Sequence, residues 1–298
     1  MSNEGFRSGF VALIGRPNAG KSTLMNKLVG QKVAIMSDKP QTTRNRIMGI
    51  VNGEDNQMIF IDTPGIHKPR HQLGEIMVKA AESTFSEVDV IVWVVDVTKE
   101  LGGGDEYIAE RLSKIKTPVI LALNKIDLIS KGKLLLALVR FNELREFAAV
   151  VPISALSGEN LVGLTGELTS RLPKGPRYFP EDMVTDQPER LIMAELIREK
   201  ALQMTREEIP HAIGVDMEEI VTRPNGDVFV RGVIYVERDS QKGILIGVKG
   251  SMLKEIGQQA RADMEALLGS KVFLDLWVKV KKDWRNSPKS LLEMGYKR

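Results

Sequence analysis

The chain sets Gly15, Arg16, Pro17, Asn18, Ala19, Gly20, Lys21, Ser22 and Thr23 in succession, a Gly-x-x-x-x-Gly-Lys-Ser pattern. Two glycines let a backbone curl tightly enough to turn successive amide hydrogens toward phosphate oxygens, and a helix opening behind them adds partial positive charge. There Lys21 can reach the β- and γ-phosphates of a nucleotide, and the Ser22 hydroxyl can ligate Mg²⁺. Asp62, Thr63, Pro64, Gly65 and Ile66 stand where an aspartate holds Mg²⁺ through water and a glycine amide faces the γ-phosphate; alone, the run reads equally well as a turn. Asn124, Lys125, Ile126 and Asp127 choose the base. A carboxylate accepts from guanine N1–H and the 2-amino group, donors that adenine lacks at those positions, so Asp127 predicts guanine. Ser154, Ala155 and Leu156 could offer a backbone amide to the guanine carbonyl, a reading that depends wholly on the other motifs.

These residues need elements that bring them to one edge. Short apolar runs at 10–14, 58–61, 90–95, 119–123 and 150–153 read as buried strands, and their continuous hydrophobicity implies a sheet covered on both faces. Between them, 21–29, 73–85, 105–115, 134–147 and 161–172 carry apolar residues at helical spacing. The stretch 46–51, joined to the next strand through a turn-rich 52–56, reads as an antiparallel hairpin at the sheet edge. The expectation is an α/β domain over 1–172 with a mixed, mostly parallel sheet. All the motifs then fall at carboxyl ends of strands, where open α/β sheets bind ligands.

Leu172 to Pro180 holds three prolines and a glycine, which deny both helix and ladder hydrogen bonds, so 173–182 reads as a linker. Beyond it, 183–298 changes order: a helix at 189–205, strands at 213–222 and 228–237 around a Pro-Asn-Gly-Asp turn, a helix at 252–268 and a strand at 271–280. This is a separate α+β domain.

Composition excludes several classes. The 298 residues contain no cysteine, so disulfides and thiolate nucleophiles are out. His67 and His71 have a metal-like spacing, but Pro69 between them breaks any helix that would align them. No apolar run approaches the roughly 20 residues of a membrane span, and residues 1–9 lack a signal-peptide core, so a cytoplasmic protein is expected. A formal charge of +3 does not by itself announce a nucleic-acid binder.

Together, Gly15–Ser22, Pro40-Gln-Thr-Thr-Arg44, Asp62–Gly65, Asn124–Asp127, Ser154–Leu156 and Gly247-Val248-Lys249-Gly250 make the chain resemble the Era type of P-loop GTPase, of the TrmE-Era group, over essentially its whole length. The resemblance implies a Ras-like GTP-binding domain followed by a type II KH domain, and a slow, partner-stimulated hydrolysis of GTP to GDP. It implies Thr43 as the switch hydroxyl that completes Mg²⁺ ligation beside Ser22 and Asp62 when GTP is bound. Lys21, Thr43, Gly65 and Asn18 are the expected catalytic set. Ile66 stands where many relatives carry a water-orienting glutamine. Asn18 matches an asparagine that coordinates K⁺ in some related GTPases, the alternative being a loop residue that tolerates a strained turn.

In the second domain, Gly247-x-x-Gly250 lets a backbone approach the phosphates of single-stranded nucleotides, with Lys242, Lys249 and Lys254 supplying charge. The same spacing at Gly163 and Gly166 falls inside a helix, and 183–298 is nearly neutral, so context alone carries the assignment. Trp277 and Trp284 read as packing residues rather than base platforms. The resemblance implies single-stranded ribosomal RNA, the 3′ region of 16S rRNA, as partner, in maturation of the small (30S) ribosomal subunit. It implies a monomer that binds no DNA, with a peripheral contact on the inner face of the cell membrane left open. The rival reading is a signalling switch whose second domain docks a protein or membrane partner.

Overall fold

Strand β1 (Arg7–Ile14) is buried along most of its length and leads through Gly15 and Gly20 into helix α1 (Lys21–Val29). The glycines at its two ends set the helix limits: Gly20 and Gly30 stand at φ 100° and 78°, left-handed values that carry no steric cost without a Cβ. The computed structural model describes residues 5–36, 46–66, 72–206 and 209–294. It divides into two compact units. The first takes in the described residues up to Ala34, the 46–66 stretch and Gly74–Asp186; the second runs from Gln187 and also takes in Ile35, Met36, Gln72 and Leu73.

In the first unit β2 (Ile47–Asn52) and β3 (Asn56–Asp62) form the antiparallel hairpin. There follow α2 (Gln72–Ser83), β4 (Val90–Asp96), α3 (Gly103–Leu112), β5 (Val119–Asn124), α4 (Lys131–Asn142), β6 (Ala149–Ile153) and α5 (Leu161–Arg171). Six strands lie in the order β2-β3-β1-β4-β5-β6, parallel except for β2. One face packs Leu24, Phe60, Val92, Leu164 and Leu168 into a core, the other Ile14, Trp93, Ile108, Leu112 and Phe141. Each such side chain, fully buried, contributes about 1.5–3 kcal/mol, which explains why the strands are hydrophobic without alternation.

The expected linker behaves differently from a free tether. The Ser8 amide donates to Pro173 O at 3.1 Å, and the Ser8 hydroxyl to Pro176 O at 2.6 Å. Buried Gln57 accepts from the amides of Tyr178 and Phe179 at 2.8 and 3.0 Å, and returns its own NH₂ to Phe179 O at 2.8 Å. Ile50 N donates to Val184 O at 2.9 Å, and the Thr185 hydroxyl to Met48 O at 2.6 Å. Prolines prevent this segment from forming its own regular structure, but its carbonyls remain acceptors, and donors on β1, β2 and β3 use them. The boundary expected at 172 and 182 therefore moves to Asp186.

The second unit contains α6 (Glu189–Met204), α7 (Ile209–Ala212), β7 (Gly214–Thr222), β8 (Val228–Val236), α8 (Asp239–Ile246), α9 (Ser251–Leu268), β9 (Val272–Val280) and α10 (Pro288–Glu293). β7 pairs antiparallel with β8, and β9 parallel with it. The β7–β8 turn places Gly226 at φ 86° and closes with Arg223 N on Asp227 O at 2.8 Å. Met193, Ile197, Ile234, Ile256, Ala260 and Met264 form the core. Within it the Arg198 guanidinium is bound in a fork by Glu195 at 2.6 and 2.8 Å, the pairing that a buried cation requires. Trp284 packs as expected, with its indole N–H on Ala212 O at 2.9 Å, whereas Trp277 is 56% exposed because its β9 position faces out of the sheet. Among the described residues no helix is long and apolar enough to cross a membrane.

Candidate functional site

Where β1 ends, the chain turns sharply beneath β4. Gly15 has φ 148°, and a Cβ there would stand 2.3 Å from Val94 O; at Gly20 a Cβ would stand 2.2 Å from the Asn124 amide nitrogen. Both glycines are therefore required by contact as well as by conformation. Asn18 is left-handed at φ 64°, which fits the strained-turn reading, and its residue type keeps it a candidate K⁺ ligand. Arg16, Pro17 and Ala19 complete the loop, which hands over to α1 at Lys21.

Lys21 is buried, and its Nζ donates to Gly15 O and Arg16 O at 3.2 and 3.1 Å. Burial lowers its pKa, against the charge of Asp62, which raises it. Ser22 Oγ donates to Asp62 Oδ2 at 2.6 Å, so two of the three expected Mg²⁺ ligands are already together. Both are hard oxygen donors, the chemistry Mg²⁺ takes, so the residues fit the ion. Thr43, the third, lies outside the described residues, as do the rest of 40–44 and both His67 and His71.

After Asp62 the side chains diverge. Thr63 is buried, with its hydroxyl on Leu13 O at 2.8 Å, which directs it into the sheet rather than toward phosphate. Pro64 leads to Gly65, where a Cβ would stand 2.8 Å from Pro17 N; this loop thus lies against the phosphate loop. Ile66 was expected among the nucleotide contacts, but its side chain is 1% exposed and packs with Ile14, Ile61 and Trp93. What reaches the cradle is its amide, which donates to Gly15 O at 3.2 Å. An isoleucine in that place closes the core because burying it is favourable and no polar group there needs it.

Asn124 joins three loops. Its NH₂ donates to Ala19 O at 2.8 Å, and its side-chain carbonyl accepts from Ala155 N at 2.9 Å. The Ala155 amide, one of the three that could meet guanine, is thus engaged within the protein. Ser154 is buried and accepts on its hydroxyl from Ser157 N at 3.2 Å, while Leu156 is 76% exposed. Lys125 is left-handed at φ 72°, Ile126 opens a single turn, and Asp127 presents its carboxylate at the surface. Two residues that the motifs did not single out support the site. Asp96 accepts from Lys125 Nζ at 2.6 Å, and Asp105 from Arg16 Nη1 at 2.9 Å. The sequence signal for each was present, an aspartate closing a buried strand and one three residues into a helix.

In the second unit Gly247 (φ 72°), Lys249 (φ 51°) and Gly250 (φ 80°) turn the chain between α8 and α9. Val248, 82% exposed, and Lys249 form the outer tip. Lys254 is exposed on α9, and Lys242 is half-buried on α8. Beside the loop runs a groove of about 450 Å³ with Leu253, Leu274 and Leu276 as apolar lining and Lys254 and Arg261 as cations. Arg261 was not anticipated; it lies about two turns along α9 from Lys254, which was. An apolar floor flanked by cations suits bases and phosphates together.

A family model described as a 50S ribosome-binding GTPase matches residues 10–125, and one described as a KH domain matches residues 208–285. Over 98% of both chains the protein is 54% identical to the GTPase Era of Heliobacterium modesticaldum. It is 53% identical, over 97% of both, to that of Staphylococcus haemolyticus. A crystal structure of Era in complex with MgGDPNP and nucleotides 1506–1542 of 16S ribosomal RNA is similar at TM-score 0.94 and 44% identity, covering 98% of this chain and 100% of that one. An Aquifex aeolicus Era variant bound to GDP and AlF₄⁻ is similar at TM-score 0.95 and 43% identity, with the same coverage.

Proposed function

The chain belongs to the Era family of GTPases, and from that membership we propose that it hydrolyses GTP and uses its nucleotide state to govern binding of 16S rRNA in small-subunit assembly. The observation that carries this reading is the pairing of the Gly15–Ser22 cradle in one unit with a cation-flanked groove beside Gly247–Gly250 in the other. The relative crystallised with a 16S segment and a GTP analogue holds both ligands at once, which supports a small-subunit partner.

Each residue then has a task. Lys21 exchanges the carbonyls of Gly15 and Arg16 for phosphate oxygens, which satisfy its charge better than neutral acceptors do. Ser22 and Asp62, with Thr43 proposed as the switch ligand, hold Mg²⁺, which neutralises charge on the β- and γ-phosphates. Gly65 presents its amide to the γ-phosphate, and Asp127 selects guanine. Ile66 cannot position the attacking water, so that task falls to backbone amides, with K⁺ at Asn18 as the proposed supplement. Lys249 and Val248 approach the RNA backbone, while Lys254 and Arg261 flank the bases.

The test uses the full chain, a fluorescent single-stranded oligonucleotide from the 3′ end of 16S rRNA, and GTP turnover. Lys21→Ala should abolish GTP binding while oligonucleotide still binds in the absence of nucleotide. Val248→Asp with Lys249→Asp should do the reverse. Retention of oligonucleotide binding by the second variant would refute the groove as the RNA site.

A further inference from the structure

Asp96 and Asp105 flank the β4–α3 connection, and each holds a cation from one of the two loops that grip the nucleotide. Asp96 closes β4. Its Oδ2 accepts from Lys125 Nζ at 2.6 Å, while Oδ1 accepts from the amide and the hydroxyl of Thr98 at 3.0 and 2.6 Å. Asp105 lies in the first turn of α3. Its Oδ2 accepts from Arg16 Nη1 at 2.9 Å and from the Gly102 amide at 3.2 Å. The carboxylate side chains are 8% and 4% exposed, the cations 31% and 37%. The acids are therefore fixed posts, and the cations are arms reaching from them toward the surface.

Three further features fit a brace. A Cβ on Gly104 would stand 3.1 Å from Arg16 Nε, so a glycine there leaves room for the guanidinium. Val97 N donates to Asn124 O at 3.1 Å, tying the same connection to the guanine loop through backbone. Burial pushes the Asp96 carboxyl up, but Lys125 and Thr98 together outweigh it and hold the group below the usual carboxylate range. Through Asp96 and Asp105, nine residues apart in sequence, the guanine loop and the phosphate loop are thus each attached by a charge-assisted hydrogen bond to the same short segment.

We propose that Asp96 and Asp105 are positioning residues for the GTP site, acting through Lys125 and Arg16 to hold the guanine loop and the phosphate loop at their working spacing before nucleotide arrives. Binding then incurs less ordering cost. The idea rests on the GTP-site reading above. The opposite arrangement is also chemically simple: the carboxylates could sequester two cations that GTP needs, in which case removing them would tighten binding. The sign of one measurement separates the two.

The measurement takes the full chain and the isosteric variants Asp96→Asn and Asp105→Asn, with GDP and GTP affinity, turnover at saturating GTP and thermal melting. Each substitution should weaken both nucleotides about tenfold, or about 1.4 kcal/mol. Turnover at saturation should stay within about twofold, because loop spacing enters binding of ground and transition states alike. Because each carboxylate works through its cation, Asp96→Asn should add nothing in a Lys125→Met background, nor Asp105→Asn in Arg16→Met. Thr98→Val, which loosens Asp96 without touching Lys125, should give a smaller loss of the same kind, and it serves if an aspartate variant does not fold. Unchanged or tighter binding overturns the proposal, as do additive losses in the double variants, which would mark a general effect on the fold. A wild-type chain that fails to bind GDP would instead strike the GTP-site reading itself.

Discussion

The Ser22 hydroxyl donates to Asp62 Oδ2 at 2.6 Å, joining the first turn of α1 to the end of β3. Forty residues apart in sequence, the two oxygens meet because β1 and β3 are parallel neighbours whose carboxyl ends coincide. Replacing Asp62 by Asn keeps the shape and removes the charge that a divalent ion needs. Mg²⁺ affinity in the presence of GDP should fall roughly 10–100-fold, as for other supporting carboxylates. Titration calorimetry with Mg²⁺ against the GDP complex would measure it, and an unchanged affinity would remove Asp62 from the metal set.

Lys21 presents a stability question with a definite sign. Its folded pKa is lowered by burial, so between that value and the ordinary lysine value of about 10.4 the unfolded chain binds the extra proton. Stability of the nucleotide-free protein should therefore rise with pH through that window. Lys21→Met should lack this rise and melt higher than wild type at pH 7, while binding no GTP. Urea unfolding at pH 7 and pH 9.5 checks both halves.

At Gly65 an added methyl would press on Pro17 N and Cα at 2.8 and 2.9 Å, both backbone atoms that cannot swing aside. Gly65→Ala should separate the two loops and withdraw an amide from the γ-phosphate. Loss of one such donor typically costs about 10²–10³ in turnover. GDP has no γ-phosphate, so its affinity should be nearly unchanged, and the GTP-to-GDP contrast is the readout.

Asn18 stands at φ 64°, where glycine would be at least as comfortable. Asn18→Gly consequently separates conformation from ligation. If the side chain coordinates K⁺, wild type should turn over faster in K⁺ than in Na⁺ and the variant should lose that preference. Equal wild-type rates in the two salts would dispose of the cation.

Arg261 lines the second unit's groove beside Lys254. Arg261→Ala should weaken binding of a single-stranded RNA and reduce the salt slope by about one unit if it meets a phosphate. Basal GTP turnover without RNA should not move.

Much of this was legible in the residues. Helix α1 runs from Lys21 to Val29 as its spacing predicts, because glycines mark both ends. α3 was expected from Asp105 yet starts at Gly103, since Asp105 caps the Gly102 amide from inside the first turn and a glycine run reads as loop until that bond is seen. α7 and α10 escaped notice because four and six residues are too few to show a helical period. At the site, types and spacing indicated which residues meet phosphate and base. They did not indicate that Ile66 faces the core or that Ala155 bonds to Asn124, both of which depend on neighbours distant in sequence. Asp96 and Asp105 each carried a local signal, a strand end and a first helical turn, but nothing in it pointed to Lys125 or Arg16 as partners, since both lie far off in sequence.

The 173–186 segment does more than join two units. β2 is the outer strand of a six-stranded sheet, and an uncovered outer strand invites pairing with another molecule. Val184 O takes the Ile50 amide, and Met48 O is taken by Thr185, so the segment meets hydrogen-bonding groups that a stranger's strand would otherwise find. The connector is thus also a guard against aggregation, and a fragment of the GTPase unit cut at Leu172 would lose that protection, whereas one cut at Asp186 would keep it.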